Sequence, residues 1–234
     1  MKDYFMFGGK ASTEWNAYIY DLDAFDSAKR SIDTIDIPGR NGALTLDNTQ
    51  KFENQTVKYE IYIDADMQKN SSSLMNYLHS LKGYQRLEDT IQLDIFRKAI
   101  YTESISVDHK NKSKATVTLS FDCLPEKWLK SGEQVTTFTS DGIIANPTLF
   151  DAKPLIRVYG VGELEIGSET ITIAKGATSY IDIDCDIQDC YEGLENRNGL
   201  VSLTDFPTLQ SGDTGITLGT GITKVEITPR WWML

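Results

Sequence analysis

Basic stretches are scarce in this sequence, and their scarcity closes off one class of function first. Lysine and arginine number 23 against 34 aspartates and glutamates, for a net charge of −11. Affinity for nucleic acid comes mainly from cations that neutralise phosphates, so specific nucleic-acid binding is not expected. Charge of this sign favours solubility and discourages non-specific association with nucleic acid. The densest basic stretch, Lys110, Lys112 and Lys114, reads as the polar tip of a hairpin. Cysteine is also scarce. Cys123, Cys185 and Cys190 are an odd number without the spacing of a disulfide framework. No run is apolar for the ~18 residues of a membrane-spanning helix. The first residues, Met1-Lys2-Asp3-Tyr4-Phe5, lack the apolar core of a signal peptide. A soluble protein made in a cytoplasm is the expectation.

Histidine is scarcer still. With only His79 and His109, few nucleophile–base relays can be built. There is no Gly-x-Ser-x-Gly. Gly160-Val161-Gly162 lacks the third glycine of a dinucleotide fingerprint, because position 165 is Glu, and no phosphate-loop Gly-Lys-Ser/Thr occurs. Nothing marks a carboxylate pair for glycoside hydrolysis. Cys185 and Cys190 have four residues between them, but four-ligand zinc spacing is not met. Asp182, Asp184 and Asp186 alternate, with Asp189 nearby, and on a strand such carboxylates could share a face and hold Ca²⁺. Read as a calcium loop, however, the run puts Ile187 at the glycine position and Gly193 at the bidentate Glu position. The simpler reading is a solvated strand face with Ile181, Ile183 and Cys185 inward. No enzyme, metal or cofactor is expected.

What the sequence does have is a period of two. Val57, Tyr59, Ile61 and Ile63 alternate with polar partners, as do Ile91, Leu93 and Ile95, and Ala115, Val117, Leu119, Phe121 and Cys123. Each run predicts a half-buried strand. Ile105–Val107 and Ala115–Cys123 should form an antiparallel hairpin. One segment is helical: Leu74, Tyr77, Leu78 and Leu81 share a face, after Ser71, Ser72 and Ser73 as cap candidates and before Gly83 as a stop. This predicts a helix over 71–82. Beyond Pro125 the texture changes to short strands with glycine turns: Leu155–Tyr159, Glu163–Ile166, Thr170–Ile173, Ser179–Asp184, Ile216–Leu218 and Lys224–Thr228. Such spacing suggests an antiparallel sandwich. The reading is mainly β, with a domain at 1–130 holding one helix and a long hairpin, and a β-sandwich domain at 131–234. Trp231 and Trp232, with Tyr159, Tyr180 and Tyr191, are the aromatic binding candidates. Adjacent Trp residues on a strand point to opposite faces, so one should be buried and one partly exposed.

Three stretches together resemble the distal tail (Dit) family of siphophage tail proteins. The first is the turn in Ile35-Asp36-Ile37-Pro38-Gly39-Arg40-Asn41-Gly42-Ala43-Leu44. The second is Val117-Thr118-Leu119-Ser120-Phe121-Asp122-Cys123-Leu124-Pro125. The third comes in pieces, from Asn146-Pro147-Thr148 and Lys153-Pro154-Leu155-Ile156-Arg157 through Phe206-Pro207-Thr208-Leu209-Gln210-Ser211-Gly212 to Pro229-Arg230-Trp231-Trp232. Asp213-Thr214-Gly215 departs from the family pattern, which often has Asn after that glycine.

The resemblance implies a galectin-like C-terminal sandwich and an N-terminal domain that forms a hexameric ring. It implies a structural hub at the distal end of a non-contractile phage tail, assembled in the host cytoplasm. Its partners would be copies of itself, the tail tube protein, the tail-associated or tip protein and, in many members, a receptor-binding protein, with DNA passing through the ring. Gly39, Arg40, Asn41 and Gly42 are then ring or partner contacts. The net charge suggests a lumen that does not trap DNA. The alternative is a carbohydrate-binding module for host adsorption, with Trp231 and Trp232 on sugar or a protein partner.

Overall fold

The computed structural model describes residues 2–23, 25, 27–104, 107–109, 115–176 and 179–234, without the side chains of 46–50 and 107–109. Two compact units make up the fold, Met1–Lys127 with Leu234, and Trp128–Met233. Each has its own hydrophobic core.

In the first unit the alternating runs become strands of one sheet. Its order is Lys10–Ala11, Phe5–Phe7, Gln85–Asp89, Ile95–Ile100, Ala115–Leu129, Gln55–Ile63 and Ala17–Asp23. The two strands Ala115–Leu129 and Gln55–Ile63 pair antiparallel, from Ala115 opposite Ile63 to Cys123 opposite Gln55. That register puts Val57, Tyr59, Ile61, Ile63, Val117, Leu119, Phe121 and Cys123 on one buried face. Phe121 is the hub of the core: its ring meets Phe7 at 4.9 Å, Tyr101 at 5.3 Å, and Phe5 and Tyr59 at 5.8 Å. Burying such a side chain contributes roughly 1.5–3 kcal/mol. The expected hairpin forms where it is described, with Val107 to His109 opposite Val117 to Ala115. Ile105 and the lysines 110, 112 and 114 lie outside the described residues.

Two expectations from the sequence are corrected by this unit. The alternation at Ile91 and Leu93 is not a strand. These residues sit in the turn between Gln85–Asp89 and Ile95–Ile100, 40% and 65% exposed. Asp89 organises that turn, since its Oδ1 accepts the backbone N–H groups of Ile91 and Gln92. The helix runs from Met67 to Ser80, so it starts four residues early, and the serines do not cap it. Asp66 takes the N-cap position in a left-handed conformation with no side-chain hydrogen bond to the helix end. Ser71 instead shares the buried stripe with Leu74 and Leu78. Tyr77 fastens the helix, its hydroxyl lying 2.9 and 2.8 Å from the carbonyl oxygens of Phe7 and Gly8.

The second unit is a two-layer antiparallel sandwich. A six-stranded sheet runs Thr136–Phe138, Ile222–Thr228, Leu155–Gly160, Ile181–Asp184, Asp189–Glu192 and Glu195–Asn196. A five-stranded sheet runs Gly142–Asn146, Gly212–Leu218, Gly162–Ile166, Glu169–Ile173 and Val201–Ser202. Inward residues of both layers form one core, with Ile156, Val158, Ile183, Val225 and Ile227 from the first and Leu164, Ile166, Ile171 and Ile216 from the second. This is the packing expected of alternating strands whose inner faces meet in one core.

Candidate functional site

The turn at Gly39–Gly42 lies at the tip of a ribbon that forms a sheet by itself. Arg30–Asp36 pairs with Ala43–Phe52, Asp36 opposite Ala43 and Ile35 opposite Leu44. The local sequence explains the reversal. The Arg40 N–H donates to the Ile37 carbonyl at 3.1 Å, with Pro38 and then Gly39, at φ +81°, between them. Proline followed by a positive-φ residue defines a type II turn. Gly42, at φ +80°, then turns the backbone into the second strand. The four residues 39–42 are exposed and share one tip. Ile32, Ile35, Ile37 and Leu44 are exposed on the same ribbon. A lone two-stranded hairpin is marginally stable in water, so apolar side chains spread along one are a surface that packing against a partner would stabilise.

Trp231 and Trp232 do not form a common site. Trp231 is 5% exposed, within the sandwich core. Trp232 points the other way, stacked on Phe150 with ring centroids 4.4 Å apart, and its indole N–H donates to the Asp151 carbonyl at 3.0 Å. One ring is core. The other already spends one face and its polar handle inside the unit, which leaves a reduced platform for a sugar.

The aspartate run is where the structure departs most from the sequence reading. Asp182 and Asp184 are 3% and 6% exposed, so this is not a solvated face. Both oxygens of each carboxylate are engaged by arginine. Arg157 Nε and Nη2 donate to Asp182 at 2.7 and 2.9 Å. Arg230 Nη1 and Nη2 donate to Asp184 at 2.6 and 2.8 Å. Arg230 therefore holds the Asp184 carboxyl below its ordinary range, against the opposing pull of burial. Ile181, Ile183 and Cys185 do point inward, as predicted. Asp186 faces Lys153 at 3.7 Å. Carboxylates saturated this way are braces rather than ligands, and no group of three metal-binding side chains occurs among the described residues.

The same sheet carries more paired chemistry. The Tyr159 hydroxyl donates to Glu226 at 3.0 Å, Lys224 donates to Glu226 at 2.7 Å and lies 3.9 Å from the Tyr159 ring centre, and Arg157 stacks over Tyr180 at 4.1 Å. Tyr159 and Tyr180 are thus occupied by neighbours. Sequence reasoning missed the roles of Arg157, Lys224, Glu226 and Arg230; Lys224 and Glu226 stand two positions apart on one strand, a spacing that could have marked them, whereas Arg157 and Arg230 lie 25 and 46 positions from their aspartates.

Gly160-Val161-Gly162 has a structural use. A methyl group on Gly160 would lie 2.1 Å from the Gly221 carbonyl oxygen, and one on Gly221 2.2 Å from that of Val161. The paired backbones approach too closely there for a side chain at either glycine. The three cysteines are buried and unpaired, and burial pushes the Cys123 and Cys185 thiols up to about 12 and Cys190 to about 11.

No family profile matches the sequence, and neither does any curated protein. Solved structures do match. The protein is similar to the Dit protein of phage SPP1, described as a paradigm of the hub adsorption apparatus in phages infecting Gram-positive hosts, with TM-score 0.78 and 15% identity over 100% of both sequences. It is also similar to components of the phage p2 baseplate in its activated conformation. With strontium the TM-score is 0.50 at 10% identity, covering 96% of this protein and 97% of that one. With calcium it is 0.52 at 10% identity, covering 97% and 98%. The architecture is therefore that of the Dit fold, from end to end.

Proposed function

We propose that this protein is a structural hub subunit at the distal end of a long non-contractile phage or prophage tail. One observation carries the reading: a tail hub protein shares its whole fold, both units included, at TM-score 0.78. Equivalence of fold does not by itself transfer function. Here it coincides with the ordered motifs from Pro38 to Trp232. The first unit would form the ring, six copies in the family's pattern, with the ribbon and its tip Gly39-Arg40-Asn41-Gly42 reaching a neighbouring subunit or tail protein. The tail tube protein and the tip protein would flank the ring, and the sandwich would face outward.

The exposed Ile32, Ile35, Ile37 and Leu44 support that role for the ribbon, since burial against a protein partner would remove them from water. Electron microscopy of the purified protein, alone and co-expressed with the adjoining tail proteins, tests it. Six-fold rings in either preparation are the expected result. Monomers in both would contradict the hub.

A further inference from the structure

The sequence holds two Asn-Gly pairs, Asn41-Gly42 and Asn198-Gly199, and the fold treats them in opposite ways. Asparagine before glycine is prone to intramolecular cyclisation because no side chain shields the following backbone nitrogen. Asn198 is locked. Its Oδ1 accepts the Cys190 N–H at 2.7 Å, its Nδ2 donates to Asp189 at 2.7 Å, and its own backbone N–H donates to Asn196 at 3.1 Å. Asn41 is exposed, and its carboxamide makes no hydrogen bond among the described residues. A Cβ built on Gly42 or on Gly199 would meet no heavy atom within 4 Å, so the two sites differ in how the asparagine side chain is held and not in crowding at the glycine.

We propose that Asn41 is a site of spontaneous deamidation and that Asn198 is protected by the fold. Base removes the proton from the Gly42 backbone nitrogen, which attacks Cγ of Asn41. A new bond forms between that nitrogen and Cγ, the bond from Cγ to Nδ2 breaks, and ammonia leaves. Water then opens the cyclic imide at either carbonyl, giving aspartate or isoaspartate. The net change is one water consumed and one ammonia released, with no oxidant or reductant. The product places a new carboxylate beside Arg40 at the tip of the ribbon, and the isoaspartate form adds a backbone carbon to the turn. The inference stands apart from the hub reading, because it rests only on the hydrogen bonding of the two asparagine side chains, both exposed, and on the local chemistry of the turn.

Peptide mapping by mass spectrometry of the full-length protein, aged at mildly alkaline pH, tests it. Asn198 must give up its side-chain hydrogen bonds to react, so Asn41 should convert at least about tenfold faster in the native protein. In strong denaturant the two rates should converge. Similar native rates, or faster conversion at Asn198, would overturn the proposal. So would an equally large preference for Asn41 in denaturant, since the folded structure would then not be the cause. Asn41→Gln should abolish the acidic species that accumulates on anion exchange, and its persistence would assign that species to another site.

Discussion

Arg230 and Asp184, 46 positions apart, close a two-point ion pair in which Nη1 and Nη2 each donate to a different carboxylate oxygen. Arg230 also adopts φ +61°, a left-handed conformation uncommon for a residue with a side chain, and its N–H donates to the Gly132 carbonyl at 2.8 Å. The backbone there is strained by about 1–2 kcal/mol, and the ion pair offsets it while fixing the approach to Trp231. Asp184→Asn would leave the half-buried arginine with a neutral partner. A loss of about 1–3 kcal/mol in a urea melt is expected, less than for a fully buried pair because Arg230 keeps some access to water. A change within error would mean that the pair contributes nothing.

The same pair sets a pH dependence. The Asp184 carboxyl titrates below its ordinary 3.8, first because Arg230 hydrogen-bonds its charged form. A depressed folded value stabilises the fold above the unfolded value. That contribution is whole above 3.8 and is lost as pH falls through the lower folded value. The stability gap between wild type and Asp184→Asn should therefore narrow below pH 3.8 in acid melts. A gap that widens there would reverse the sign and refute the assignment.

Gly160→Ala should destabilise the sandwich by about 2 kcal/mol or more, because its methyl would collide with the Gly221 carbonyl and its φ is +105°. Gly215→Ala is the matched control. It meets no heavy atom within 4 Å, and its stability should stay within about 0.5 kcal/mol of wild type. Equal melting temperatures for the two variants would show that the close backbone approach tolerates a side chain.

Trp231→Ala should cost about 3–5 kcal/mol as a core truncation, whereas Trp232→Ala should cost about 1 kcal/mol for a partly buried stacked ring. Glycan-array screening of Trp232→Ala against wild type addresses the carbohydrate alternative. Sugar binding lost with that residue would revive it.

Native thiols should be almost inert toward disulfide-exchange reagents at neutral pH, since values of about 11 to 12 leave little thiolate and all three sulfurs are buried. Labelling should appear only as the protein unfolds. Fast modification in the folded state would place one thiol at the surface.

The strands with strict alternation were legible because one face of each is buried, as Tyr59, Ile61, Leu119 and Phe121 show. The turn at Gly39 and Gly42 was legible because glycine is the residue that a positive φ requires. Ile91 and Leu93 misled because a short alternation also arises in a turn, and Asp89 decided the matter through bonds that spacing does not reveal. Asp182 and Asp184 misled for a different reason. Charge alone says exposed, and their burial depends on arginines delivered by distant strands.

The most direct test of the hub account is immunogold labelling of the phage particles with antibody raised against this protein. The account predicts gold confined to the distal end of the tail tube. Label on the head or along the tube, or no incorporation into particles, would contradict it.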